Sequence, residues 1–180
     1  NSPSATVKAR RVVIATGSRP AIPPVPGLSD VDYLTNETIF DIETLPTHLI
    51  ILGGGPIGME MAQAFRRLGS EVTVIEMSRV LSTSDDDHAA IAADTLRSEG
   101  VEILEGYKAA SVSQDDGTVV LEAEGDDGKK IVRGSHILVA AGRQPVLDGL
   151  DLEAGNVAYD KTGIQVSQKL RSVSNKHVWA

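Results

Sequence analysis

Leu49-Ile50-Ile51-Leu52-Gly53-Gly54-Gly55-Pro56-Ile57-Gly58-Met59-Glu60 is the stretch that decides the fold. Four aliphatic residues lead into Gly-x-Gly-x-x-Gly, and helix-forming residues follow to Leu68. The run Glu71-Val72-Thr73-Val74-Ile75-Glu76 comes next and ends in an acid. Strand, glycine turn, helix, strand and acid, in that order, are what seats a dinucleotide at the carboxyl edge of a parallel sheet. Gly53 permits the tight turn. Gly55 carries no side chain to keep a pyrophosphate off the backbone. Gly58 lets the helix pack closely on the strand. Pro56 suits the first helical position, where an N–H has no intrahelical acceptor. The helix N-terminus offers unpaired N–H groups and a partial positive charge to phosphates. Glu76 can accept hydrogen bonds from both hydroxyls of an adenosine ribose. Its charge favours the free 2′-hydroxyl of NAD over the 2′-phosphate of NADP. Arg79 is either a cation for such a phosphate or a solvated loop charge. The competing explanation for the whole pattern is a glycine-rich structural turn beside a surface glutamate.

Working outward, His48–Leu52 is expected as the first strand of the sheet and Pro56–Leu68 as its helix. Ile57, Met61, Ala64, Phe65 and Leu68 recur at helical spacing and are expected to face the sheet. Gly69 suits the helix C-terminus. Ser84-Asp85-Asp86-Asp87 reads as the start of a second helix running to about Ser98. Its carboxylates complement the helix dipole rather than forming a metal site. Ile91, Thr95 and Leu96 are expected inward, and Gly100 ends that helix. Val101–Leu104 is a third strand. Lys108–Gln114, Thr118–Glu124 and Lys129–Arg133 then alternate apolar and polar residues, separated by Asp116-Gly117 and Asp127-Gly128. Asp-Gly between alternating runs signals hairpins, so a meander is expected. Ser135–Ala140 reads as a central parallel strand. Before the glycine turn, Arg11–Ala15 reads as a buried strand and Ala21–Gly27 as an extended proline-rich connector. Asn36–Ile42 reads as a short helix capped by Thr35. The tail Asp148–Ala180 reads as loop-rich, with one or two strands. The fold expected is three-layer α/β, a Rossmann-like parallel sheet with an antiparallel β-meander.

At 180 residues the chain is long enough for a sizeable core. Aromatics make up 3%, so that core is to be built from Val, Ile, Leu and Ala. A net charge of -8 argues against nucleic acid or an anionic membrane as the main partner. No apolar run approaches the roughly 20 residues of a membrane span. Asn1–Thr6 lacks the basic start and apolar core of a signal peptide, and a cytoplasmic location is expected. The chain contains no Cys, which excludes disulfides, thiolate metal sites and cysteine catalysis within it. His48, His88, His136 and His177 are scattered, and no metal site is expected. The first residue is Asn rather than Met, so a fragment of a longer protein is expected.

Three separated motifs carry a family resemblance. Val13-Ile14-Ala15-Thr16-Gly17-Ser18-Arg19-Pro20 resembles the Ala-Thr-Gly exit from the flavin domain of pyridine nucleotide-disulfide oxidoreductases. Gly53-Gly54-Gly55-Pro56-Ile57-Gly58-Met59-Glu60 resembles their NAD motif. Val139-Ala140-Ala141-Gly142-Arg143-Gln144-Pro145 resembles their crossing back to the flavin domain. Leu45–His48 and Ala62–Ser70 are most similar to the dihydrolipoamide dehydrogenase and mercuric reductase branch.

The resemblance implies three segments: a flavin-domain edge strand and connector over 1–34, an NAD-binding domain over 35–144, and a return segment over 145–180. It implies NAD as cofactor here and FAD in the parent. In such enzymes hydride passes between NADH and flavin, and electrons pass to or from a disulfide or metal ion, and the resemblance implies the same for the parent of this chain. The redox Cys pair and the catalytic His-Glu pair of such enzymes have no counterpart in this chain, so it is not expected to be catalytic alone. Its partners would be NADH and the flavin domain of a homodimeric parent. By the same resemblance, Glu60 orients the nicotinamide and Met77 flanks the adenine. Pro56, Ile57 and Gly142 line the NAD side, and Thr16, Gly17 and Arg143 approach FAD. Several have a plainer alternative: Glu60 as a solvated carboxylate in the first helical turn, Ile57 as core, Thr16, Gly17 and Arg143 as turn and linker residues. An NADH oxidase or ferredoxin reductase-type flavoprotein, or a non-catalytic NAD-binding module, remain as alternatives.

Overall fold

A computed structural model describes residues 5–180. Of the Asn1–Thr6 expectation, residues 1–4 lie outside the described residues. In chain order the strands are β1 (Val12–Val13), β2 (Ser18–Pro20), β3 (Tyr33–Leu34), β4 (His48–Leu52), β5 (Glu71–Glu76), β6 (Glu102–Glu105) and β7 (Lys108–Asp115). They continue as β8 (Thr118–Gly125), β9 (Gly128–Gly134), β10 (His136–Val139), β11 (Arg143–Pro145), β12 (Tyr159–Asp160), β13 (Gly163–Ile164) and β14 (Val178–Trp179). The helices are α1 (Pro56–Leu68) and α2 (Asp86–Ser98). The chain divides into two units, Pro20–Gly142 on one hand and the flanks up to Arg19 and from Arg143 on the other. The sequence-based boundary at 34/35 falls inside the larger unit.

The larger unit is built on a five-stranded sheet in the order β3-β10-β4-β5-β6. Every neighbouring pair is parallel. Parallel neighbours need crossovers, and α1 and α2 supply those from β4 to β5 and from β5 to β6. The side-chain period of two splits β4 between two cores. Leu49 and Ile51 join Met59, Ala62 and Phe65 of α1 and Ala93 and Leu96 of α2. Ile50 and Leu52 join Val112, Val119, Leu121 and Val132 of the meander β7-β8-β9. The layers are therefore helices, parallel sheet and antiparallel meander, as the sequence implies. Asp116 and Gly117 turn the first hairpin with φ of 44° and 75°. Both values are positive, as a two-residue hairpin turn of this hand requires. Val112, Leu121 and Val132 stand opposite one another across the three strands. Each is buried, which is worth about 1.5–3 kcal/mol per side chain.

Several expectations need correction. The inward face of α1 is Gly58, Met59, Ala62 and Phe65. Ala64 is exposed, and Leu68 is 65% exposed. The close approach at Gly58 sets the rotation of the helix, and large residues out of phase with it face solvent. In α2 the inward residues are Ala89, Ala93 and Leu96, while Thr95 is exposed and Ile91 is 66% exposed. Asn36–Ile42 is turns followed by a 3-10 turn at Ile39–Asp41. Thr38, not Thr35, precedes it as N-cap, and Thr35 Oγ1 instead accepts the Glu37 N–H at 3.2 Å in the turn before it. The third strand begins one residue later than expected, at Glu102. β3, at the sheet edge, was not foreseen, because two residues are too short for any periodicity.

In the smaller unit, β1 pairs parallel with β14 and β12 antiparallel with β13. Its core holds Leu152, Val157 and Val178, with Ile14, Leu147, Leu150 and Ile164 packed against them. The expected buried strand Arg11–Ala15 is instead the short β1, with Val13 72% exposed. It has one strand partner, and of this run Ile14 alone packs on the small core. The tail carries three two-residue strands rather than one or two.

Candidate functional site

The carboxyl ends of β4 and β5 meet at the glycine turn. Gly53 has φ of 112°, and its N–H donates to the Ile75 carbonyl at 2.9 Å. A Cβ at Gly53 would lie 2.5 Å from the Ala140 carbonyl oxygen, so the turn is seated against the end of β10. A Cβ at Gly58 would overlap the Gly53 carbonyl oxygen, which explains how closely α1 docks. Gly55 is different. Its φ of -72° and ψ of -178° are open to any residue, and a Cβ there would meet nothing within 4 Å. Neither the backbone nor the packing of this chain calls for glycine at 55. Directly after it, Pro56 opens α1, and no side chain caps the helix. The first-turn N–H groups of Ile57 and Gly58 have no intrahelical acceptor.

Glu76 closes the other side. Its Oε2 accepts the Gly54 N–H at 2.7 Å. Its Oε1 accepts the Ser78 N–H at 3.0 Å and the Ser78 hydroxyl at 3.2 Å. A carboxylate has about four lone-pair sites, so acceptor capacity remains. The segment that follows is pinned at both ends. Leu81 donates its N–H to the Gly54 carbonyl at 2.8 Å. Val80 donates its N–H to Glu105 Oε1 at 2.8 Å. Gly106 and Tyr107 donate theirs to the carbonyls of Ser78 and Glu76, each at 3.0 Å. Met77 is exposed. Arg79 pairs with Asp86 Oδ1 at 2.7 Å at the start of α2, so its charge is engaged within the chain. Asp85 is the N-cap of that helix, accepting from the N–H groups of Asp87 and His88.

Gly53, Gly54, Gly55, Gly58 and Glu76 thus form one cradle, with Pro56 and half-buried Ile57 on its helical wall. Glu60 is exposed and lies in the second turn of α1, not the first, because Pro56 is the first helical residue. Gly142 follows β10 with φ of 114°, and its carbonyl accepts the Ala21 N–H at 3.0 Å. Thr16, Gly17 and Arg143 belong to the other unit. There Thr16 Oγ1 donates to the Val146 carbonyl at 2.6 Å, and the Gly17 carbonyl accepts the Val146 N–H at 3.0 Å. Arg143 donates through Nε to Ser18 Oγ at 2.8 Å and through Nη2 to the Ser18 carbonyl at 2.6 Å. Sequence reasoning missed Glu105 and Ser78. The signal for Glu105 was present: it ends β6 as Glu76 ends β5, and the two are register partners.

A parallel sheet with a glycine turn at its carboxyl edge and an acid ending the next strand defines a Rossmann-like α/β protein. The relatives refine that class. Residues 2–180 match the pyridine nucleotide-disulphide oxidoreductase family, and the chain belongs to it. A mercuric reductase of Streptomyces lividans is 40% identical over 177 residues, covering 98% of this chain and 37% of the relative. Dihydrolipoyl dehydrogenase 3 of Haloarcula marismortui is 34% identical over 183 residues, covering 98% and 38%. Among solved structures, the Cu(II) complex of the flavoprotein disulfide reductase RclA from Escherichia coli superposes with a TM-score of 0.84 at 29% identity, covering 97% of this chain and 40% of that one. LpdA from Mycobacterium tuberculosis gives 0.82 at 30% identity, covering 94% and 37%. The chain therefore spans less than two fifths of the length of the two curated relatives named.

Proposed function

We propose that this chain is the NAD(H)-binding part of an FAD-dependent oxidoreductase whose electrons pass to or from a disulfide or a metal ion as substrate. The observation that carries the reading is Gly55. Its glycine is unexplained by conformation or packing, and it sits between an uncapped helix N-terminus and a carboxylate with spare acceptors. A pyrophosphate lying against the backbone supplies the missing reason for it.

NADH, when bound, supplies the hydride; the chain supplies position and charge. The N–H groups opening α1 hold the pyrophosphate, and the bare backbone at Gly55 lets it approach. Glu76 accepts from the ribose hydroxyls and disfavours a 2′-phosphate. Met77 lies beside the adenine. Ile57 and Gly142 flank the nicotinamide half, and exposed Glu60 orients the nicotinamide. Thr16, Gly17 and Arg143, already bonded to Ser18 and Val146, offer the flavin a fixed backbone flank. The partner in this reading is a flavin-binding region of a homodimeric parent. Names of the relatives favour the disulfide and mercuric branch over the oxidase and ferredoxin reductase alternatives.

Gly55→Val tests the reading. The new side chain enters open space, so the unfolding free energy should fall by no more than about 1 kcal/mol, the scale of a change at an N-cap. NADH affinity should fall at least about tenfold, because the side chain occupies the pyrophosphate position. Unchanged NADH affinity in a folded Gly55→Val variant would refute the assignment.

A further inference from the structure

The 76–81 segment is tied down by one side chain from a neighbouring strand. Four hydrogen bonds join the backbone of this segment to Gly54 and to residues 105–107. Three of them are backbone to backbone: Leu81 to Gly54, Gly106 to Ser78, and Tyr107 to Glu76. Almost any sequence could make those. The fourth is the Val80 N–H donating to Glu105 Oε1 at 2.8 Å. Glu105 is itself held from behind, its Oε2 accepting from Arg97 Nη2 at 2.6 Å. Arg97 is steadied in turn by Asp94 Oδ1 at 3.2 Å. Val80 is 1% exposed, and its Cγ1 lies 2.5 Å from where a Gly54 Cβ would stand. Gly54 is the residue whose N–H reaches Glu76 Oε2. A continuous set of contacts therefore runs from Arg97 through Glu105, Val80 and Gly54 to the carboxylate of Glu76.

We propose that Glu105 is a positioning residue for cofactor choice, holding Val80 and the 76–81 segment so that Glu76 keeps its carboxylate fixed for the ribose hydroxyls. This rests on the NAD reading above. Both oxygens of Glu105 are engaged, one by Val80 and one by Arg97, so Glu105 acts through Glu76 and not by touching the nucleotide. A carboxylate that wanders loses part of each hydrogen bond to a ribose and part of its repulsion of a 2′-phosphate. Glu105 therefore governs the ratio of NADH to NADPH affinity more than the affinity for the shared pyrophosphate.

The test is calorimetric titration of NADH and of NADPH into the unaltered chain and into Glu105→Ala, Glu105→Gln, Arg97→Met, Glu76→Ala and Glu76→Ala/Glu105→Ala. In Glu105→Ala the NADH-to-NADPH affinity ratio should fall about three- to tenfold, the scale of one weakened hydrogen bond. Glu105→Gln keeps one acceptor, for the Val80 N–H, but turns an NH2 toward Arg97, so its ratio should lie between those of Glu105→Ala and the unaltered chain. In the Glu76→Ala background, removing Glu105 should change the ratio no further. A merely structural role would weaken both nucleotides alike and leave the ratio alone. A further fall in the double variant would show a direct action of Glu105 on the nucleotide; either result overturns the proposal. Should Glu105→Ala not fold, Arg97→Met decides, because its ratio must fall in the same direction and an unchanged ratio overturns the proposal. If the unaltered chain shows no preference for NADH, the Glu76 reading fails. If it shows the preference and Glu105→Ala keeps it, the Glu105 proposal alone fails.

Discussion

Glu76 does two jobs with one carboxylate. Inside the chain it closes the glycine turn by accepting from Gly54, and in the proposed complex it meets the ribose. Glu76→Ala should therefore lose most of the preference for NADH over NADPH and also loosen the turn. Titration with both nucleotides measures the first effect, and an unchanged ratio would contradict the ribose role. The three motif glycines separate by the same physical reasoning. Gly58→Ala places a methyl on the Gly53 carbonyl, where backbone must move. It should cost about 1–3 kcal/mol or more in urea unfolding, a cost that Gly55→Val should not show. The sequence revealed all three glycines and Glu76, because turn chemistry and a terminal acid are local signals. It hid Glu105, which carries the same signal at the end of β6 but acts through a neighbour that only the folded chain brings near.

At the scale of elements, the ends of α1 were legible and its orientation was not. Proline at the first position and glycine after the last fixed Pro56–Leu68 to the residue. Of the expected stripe, Phe65 is buried and Met61 packs against the core, but the helix also docks through Gly58, Met59 and Ala62, which the stripe left out. The alanines of α2 hide the same way. The meander was legible because alternation and Asp-Gly turns are both short-range. Where α1 and α2 end, their last turns are clamped. Arg67 donates to Glu99 through Nε at 2.9 Å and Nη2 at 2.6 Å, and Arg66 Nε donates to the Glu99 carbonyl at 2.8 Å. The Arg67 guanidinium holds the Glu99 carboxyl below the usual carboxylate range. A folded-state value below the unfolded one means that the stabilisation is present above the unfolded pKa and is lost as pH falls through the lowered one. Thermal midpoints of the unaltered chain and Arg67→Met should differ at neutral pH and converge once pH drops below the carboxylate range. A constant difference down to the acid limit would contradict this. Because the pair is solvent-exposed, the effect should be small.

Across the whole molecule, the two units are unequal in core. The larger has two extensive clusters on the two faces of its sheet. Among its described residues the smaller has a core of three buried hydrophobic side chains and a two-stranded β1–β14 pair. Hydrogen exchange should therefore be slowest in β4 and β10 and markedly faster in β1 and β14. Equal protection across both units would contradict that ordering. The small unit was the least legible part, because two-residue strands and an apolar run with little to pack against give no periodic signal. Arg11–Ala15 reads as buried only because four apolar residues, Val12, Val13, Ile14 and Ala15, follow one another.

The central claim is that the glycine turn and Glu76 form a working NAD site. Calorimetric titration of the chain with NADH and then NADPH tests it most directly. Binding of NADH with a clear preference over NADPH is the expected result. Equal or tighter binding of NADPH would contradict the role of Glu76 and turn attention to Arg79, and binding of neither would contradict the site itself.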